Sequence, residues 1–207
     1  MKKLVCGVGI NDVDYVVQVQ ETVGYVDGKR KRKLVWICPF YRTWKNMLVR
    51  SYSDKYKAEK PTYEESTTIE EWHLFSKFKA WMETQPWEGH QLDKDILVRG
   101  NKVYGPETCV FVSNVVNTFM LDCGASRGQY MIGVYWDKAS SKFMAQCSNP
   151  FTKKRERLGL FDSELVAHKV WLKRKLELTY KLAFLQTDER VAKALINRYE
   201  NYTKEKT

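Results

Sequence analysis

Strand-like and helix-like periodicities occupy separate blocks of this chain, and the order of those blocks is its strongest constraint on fold. From Tyr15 to Tyr25 side chains alternate in the strand manner, Asp27-Gly28 supplies a turn, and a basic run leads into Leu34-Val35-Trp36-Ile37. That pattern predicts a β-hairpin with a cationic tip. After Pro39, residues Tyr41, Trp44, Met47 and Leu48 fall at helical spacing. A second helix is expected from Thr68, where Thr-Ile-Glu-Glu resembles a capping box, with Trp72, Phe75, Phe78, Trp81 and Met82 on one stripe as far as Pro86. Residues 92–120 then read as a strand (92–98), a turn-rich loop, a strand (109–112) and a helix that Ser113 caps. Three further strands, 130–136, 142–147 and 154–160, precede a long helix from Asp162 and a terminal helix at 188–202, with a Gly/Ser-rich linker at 122–128. The fold class is therefore α+β.

A chain of 207 residues with 43% hydrophobic and 14% aromatic content is too rich in core formers to be disordered. It is long enough for one domain or two small ones. No run of 18 apolar residues and no apolar stretch of signal-peptide type occurs, so a soluble, intracellular protein with no membrane partner is expected. The cysteines (Cys6, Cys38, Cys109, Cys123, Cys147) are odd in number and scattered without a CxxC pair, which argues for reduced, buried thiols over a disulfide framework or zinc ribbon.

Thirty-five Lys and Arg against 25 Asp and Glu leave a formal charge of +10. Residues 127–183 alone hold twelve basic against five acidic side chains, which concentrates the excess in about a quarter of the chain and suggests a polyanionic partner. The run Lys29-Arg30-Lys31-Arg32-Lys33 at the hairpin tip has two readings of equal weight, a grip on phosphates or a solvated turn.

Several motifs, in order, resemble the HNH-type homing endonucleases of tailed phages: Gly7-x-Gly9-x-Asn11-Asp12, Tyr41-x-x-Trp44-x-x-Met47-Leu48, Trp72-x-x-Phe75-x-x-Phe78-x-x-Trp81, Leu92-Asp-Lys-Asp-Ile96, Asn101-x-x-Tyr104-x-Pro106-Glu107-x-Cys109 and Gly133-Val134. The likeness spans roughly residues 4–183. It implies a ββα-metal (His-Me finger-like) nuclease module at about 91–118, followed by a three-stranded antiparallel sheet packed on a helix. The domains expected are 1–121, holding the hairpin, two helices and finger, then 127–183 for the sheet and its helix, and 188–203 for the terminal helix. The implied activity is hydrolysis of phosphodiester bonds in double-stranded DNA with Mg²⁺ or another divalent cation, in the cytoplasm of an infected bacterial host.

In the finger, the family's usual His position reads Asp93-Lys94-Asp95, with His90 three residues earlier. Strand alternation is expected to put both carboxylates on one face and Lys94 on the other. Asp93 and Asp95 then serve as metal ligands and base, Lys94 or His90 assists, and the resemblance adds Asn117 as a helix-borne metal ligand. The competing reading is that Asp-Lys-Asp is the solvated end of a strand in a degenerate finger that only binds DNA. His73 and His168, among apolar neighbours, are expected to be structural.

The carboxyl-terminal part resembles the APETALA/ethylene-response-factor DNA-binding domain through Gly133-Val134, Phe143-x-Ala145, Leu158-Gly159-x-Phe161 and Ser163-Glu164-x-x-Ala167. In that family the sheet enters the major groove. Alternation then turns Val134, Trp136, Phe143, Ala145 and Cys147 toward the helix. It turns Tyr135, Asp137, Lys142, Met144, Gln146, Ser148, Arg155 and Arg157 outward, with Lys153 and Lys154 nearby. Tyr135, Lys142, Gln146, Lys153, Lys154, Arg155 and Arg157 are the expected DNA contacts. Tyr135 and Asp137 stand where the family has arginines, so its sequence preference does not transfer. A protein inhibitor that presents a basic face to an acidic partner is a third, weaker class of function.

Overall fold

The structure, a computed structural model, describes residues 4–121 and 128–202. It is mixed α and β and divides into two compact units, residues 1–111 and 112–207. The linker expected at 122–128 falls, apart from Gly128, outside the described residues, together with Cys123, Arg127 and Thr203.

The first unit opens with a tight turn in which Val5 and Gly9 bridge. A Cβ at Gly9 would lie 2.3 Å from Leu48 Cδ1 and 3.0 Å from the Trp44 ring, so the glycine is required by close packing. Strands β1 (Gln18–Val26) and β2 (Lys29–Ile37) form an antiparallel ribbon. Asp27 and Gly28, both at positive φ (50° and 72°), close it with the twist that suits a two-residue hairpin. Helix α1 (Pro39–Tyr52) starts on a proline, whose fixed φ and missing N–H suit a first turn. It is followed by α2 (Asp54–Glu59), whose N-cap Ser53 accepts from Tyr56 N–H, and by a 3₁₀ turn, Pro61–Tyr63.

The helix expected from Thr68 begins later. Thr67–Thr68 is instead β3, parallel to β5 (Val103–Tyr104), and a 3₁₀ turn Glu70–His73 leads to α3 (Phe75–Glu83). Pairing with a distant strand wins over the local capping signal: Thr67 N–H donates to Lys102 O at 2.9 Å and Ile69 N–H to Tyr104 O at 3.0 Å. The side chain that caps the start of α3 comes from far upstream, Asp12, whose carboxylate accepts from Ser76 N–H at 2.9 Å and from its hydroxyl. The stripe of aromatics builds the core, as its spacing predicts. Trp44, Met47, Leu48, Phe75 and Phe78 are fully buried, each worth about 1.5–3 kcal/mol of apolar burial. Trp44 Nε1–H donates to Trp72 O at 2.7 Å, which satisfies the one polar atom of a buried indole. Strands β4 (Gln91–Asp93) and β6 (Val110–Val112) pair beside this core.

The second unit begins with α4 (Asn114–Met120), whose cap Ser113 accepts from Val116 N–H. Strands β7 (Val134–Asp137), β8 (Lys142–Ser148) and β9 (Arg155–Phe161) make an antiparallel meander, followed by α5 (Glu164–Phe184) and α6 (Glu189–Glu200). Val134, Ala145 and Ala167 are buried together, with Phe143, Leu158 and Phe161 packed against them. Two residues depart from the exposure expected of their faces. Trp136 is 38% exposed although its ring meets that of Phe143, its partner across the strands, at 4.8 Å. Met144 is only 8% exposed although it faces outward, because its rung sets Tyr135 on one side and Leu160 on the other. No helix among the described residues is long and apolar enough to cross a membrane.

Candidate functional site

In the first unit, β4 ends at Asp93, short of the expected 92–98. The reason is local. Asp93 Oδ1 accepts the backbone N–H groups of Asp95 and Ile96, both at 2.8 Å, and this turn takes the chain out of the strand. The alternation in burial nevertheless runs on through the turn, with Leu92, Lys94 and Ile96 buried and Asp95 exposed, so Lys94 takes the inward side. Lys94 is 6% exposed, with its ammonium donating to Asn101 O at 2.9 Å and lying 3.2 Å from Asp95 Oδ2. The carboxylates still come together across the turn. Burial raises the proton affinity of Asp93, and the charge of Asp95 raises it further.

Three residues that sequence reasoning did not assign to this site complete it. Lys94 Nζ sits 5.7 Å from the Tyr63 ring centre and 5.9 Å from that of Tyr104, and Arg50, on α1, lies 5.9 Å from the Tyr63 ring. Arg50 also hydrogen-bonds Tyr104, whose hydroxyl is pushed up by burial. Two cations thus flank two aromatic rings next to two carboxylates. Tyr104 carried a signal in the Asn101-x-x-Tyr104 motif, but Arg50 and Tyr63 carried none, since only the fold brings them to residue 94.

Asn101 explains that motif physically. Its Nδ2–H₂ donates to Lys94 O and Val103 O, both at 2.7 Å, and its Oδ1 accepts from Val103 N–H, so the loop after the Asp pair is pinned to itself. His90 is exposed, with Nδ1 2.8 Å from Glu88 O. Burial pushes the Cys109 thiol up to about 12, which leaves it a core group rather than a nucleophile. His73 bonds Tyr52 Oη at 3.0 Å and His168 bonds Ile132 O at 2.9 Å, both in the structural manner expected. Asn117 lies on α4, in the second unit.

A divalent ion is tested by the oxygens on hand. Asp93 Oδ1 is committed to two N–H groups, and Asp95 Oδ2 faces an ammonium. Each carboxylate keeps one further oxygen, and a cation would offset both the burial and the charge of Asp95 that raise Asp93. Two carboxylate oxygens suit a hydrated Mg²⁺ that takes its remaining ligands from water and substrate phosphate. Among the described residues no group of three or more His, Cys, Asp or Glu side chains is placed to hold a metal alone.

In the second unit, the outward face of the sheet gathers Tyr135, Gln146, Arg155 and Arg157 around an open concavity of about 560 Å³. The register does this: Gln146 pairs with Arg157 and Ser148 with Arg155, after a bulge between Ala145 and Gln146 tucks Leu158 into the core. Arg155 and Arg157 are exposed. The other expected contacts lie at the rim. Lys142 pairs with Asp162 at 3.1 Å, while Lys153 (φ 56°) and Lys154 occupy the exposed β8–β9 turn. Asp137 is spoken for, since its carboxylate accepts from Ser140 N–H and Oγ–H in the β7–β8 turn.

On the helix side of the same sheet, Arg174 grips Glu156 through Nε and a terminal nitrogen at 2.7 and 3.1 Å, and Asn149 donates to Glu156 at 2.7 Å. These bonds pull the Glu156 carboxyl down to about 2. The fork fixes β9 to α5 and so fixes the direction in which Arg155 and Arg157 leave the other face. No protein-family model matches this chain, and no curated protein or solved structure is significantly similar to it.

Proposed function

We propose that this chain binds double-stranded DNA through the outward face of β7–β9 and hydrolyses its phosphodiester bonds at the Asp93–Lys94–Asp95 turn, as a metal-dependent endonuclease of the HNH type it resembles. The observation that carries the reading is the exposed concavity of Tyr135, Gln146, Arg155 and Arg157. Two guanidiniums and an amide on a pleated surface offer bidentate donors to guanine and adenine edges, and the rim lysines supply sequence-independent phosphate contacts.

At the turn, Asp93 and Asp95 would hold the divalent ion, and Lys94 keeps Asp95 oriented through its contact at 3.2 Å. A bound divalent ion would polarise the scissile phosphate and lower the pKa of a bound water. Between them Asp93 and Asp95 would divide the duties of ligand and general base.

A second reading, a DNA-binding protein without cleavage, draws on the two N–H groups that Asp93 Oδ1 already caps, a structural task that accounts for an aspartate there. Incubation with plasmid DNA and Mg²⁺, Mn²⁺ or Ca²⁺, beside Asp93→Ala and Asp95→Ala variants, separates them. Nicking lost in both variants supports the enzyme. DNA binding with no nicking under any ion leaves the binding protein, and no DNA binding at all rejects both.

A further inference from the structure

The β1–β2 ribbon takes no part in either the sheet face or the Asp93–Asp95 turn. Of its two nine-residue strands only Ile37 is buried, and the half-buried residues are Gln18 and Gly24. A two-stranded ribbon without a packed face gains little stability of its own. Its distal half is a run of five cations, Lys29-Arg30-Lys31-Arg32-Lys33, and among the described residues none of the five enters an ion pair. Glu21 stands opposite Lys33 without reaching it.

Alternation places Lys29, Lys31 and Lys33 on one face and Arg30 and Arg32 on the other. Tyr25, 66% exposed, lies across from Arg30. Cations on both faces do not suit a flat anionic surface, which one face alone would meet. They suit a groove with a phosphate wall on either side, and the major groove of B-DNA admits a two-stranded ribbon. At about 3.3 Å per residue each strand reaches about 30 Å. The register shifts between Val19 and Gln20 and between Thr22 and Gly24 add the local twist that following a groove demands.

We propose that the β1–β2 ribbon is a second DNA-binding element, an arm that enters the major groove of duplex DNA with Lys29–Lys33 against its two phosphate walls. This rests on the proposal that DNA is the partner, but it concerns a different surface from the β7–β9 sheet.

The test uses the full chain and a labelled duplex of about 30 base pairs of mixed sequence, titrated between about 50 and 300 mM salt. Three forms are compared: wild type, K29Q/R30Q/K31Q/R32Q/K33Q, and R155A/R157A. Each lost phosphate contact makes the log–log salt slope shallower by about 0.9, so the five-fold Gln variant is expected to lose about 4.5 from the slope and at least tenfold in affinity at about 0.1 M salt. In case that variant folds poorly, a photo-crosslinking residue at Val26 in the otherwise unchanged chain is expected to attach to the duplex. An unchanged slope in the well-folded Gln variant, or no crosslink from Val26, while R155A/R157A weakens binding, overturns the arm and leaves the sheet reading intact. Loss confined to a single-stranded RNA or to phosphatidylserine vesicles, with duplex binding unaltered, also overturns it. Failure of the wild type to bind the duplex removes the arm and the proposed function together.

Discussion

Gly133 lies face to face with Trp171: a Cβ on the glycine would come within 2.1 Å of the indole ring, and the glycine's φ is +82°. The start of β7 is thereby seated directly on the buried tryptophan of α5, which is 4% exposed. Both the backbone angle and the missing side chain are needed at this one position. Gly133→Ala is expected to cost about 3 kcal/mol, since a rigid ring cannot withdraw and the left-handed backbone is strained for alanine. Urea unfolding followed by tryptophan fluorescence measures it. Gly128, also at positive φ but with open space for 4 Å around the place a Cβ would take, is the control and should cost far less on the same change.

The two kinds of cation on the sheet face separate by specificity. Arg157→Ala is expected to lose about 1–3 kcal/mol at particular base pairs, and Lys153→Gln with Lys154→Gln to weaken all duplexes alike and flatten the salt dependence. Competition binding against a randomised duplex pool distinguishes these outcomes. Uniform loss in both variants would reject base reading by the β7–β9 face.

Asp93 couples stability to activity in opposite directions. Because burial and Asp95 raise its folded pKa above the ordinary 3.8, the stability linked to its proton is fully present below 3.8 and lost as pH rises through the raised value. Asp93→Asn keeps an oxygen to cap Asp95 and Ile96 yet carries no charge. It should therefore unfold at higher urea than wild type at pH 7, with the gap closing below pH 3.8, while any DNA cleavage disappears. Asp93→Ala loses the cap as well and should be less stable than Asp93→Asn at both pH values.

His90 tests which group activates water. Its side chain is exposed and turned to Glu88 O, so His90→Ala is expected to retain most cleavage, and Asp95→Ala to lose nearly all of it. Loss of cleavage in a folded, DNA-binding His90→Ala protein would return the site to a histidine mechanism.

The acid limb of unfolding should report on Glu156. Its carboxyl is held near 2 by Arg174 and Asn149, so the fork's contribution is present above the ordinary 4.5 and lost as pH falls from there through about 2. Glu156→Gln should flatten the pH dependence of stability in that window, as thermal unfolding between about pH 5 and pH 2 will show.

Periods and turn chemistry in the sequence were enough to place the β1–β2 ribbon with its Asp27-Gly28 turn, the aromatic stripe of the first core, the cap at Ser113, and three strands followed by a long helix. These depend on near neighbours in the chain. Positions such as Gly9, Asn101 and Gly133 were visible as motif residues, but their purpose was not, because what each touches (Trp44 and Leu48, Lys94, Trp171) is set by packing. Thr68 shows the limit most directly: its local signal favoured a helix start, and a parallel pairing with Tyr104 made it a strand. At residue 94 alternation foretold that the lysine and the two aspartates part ways, but that the lysine takes the buried side and that the strand ends in a hydrogen-bonded turn at Asp93 came only from the fold. Arg50 and Tyr63 joined that site only through the fold, since a charge's neighbours in space follow from tertiary packing and leave no periodic trace in the chain.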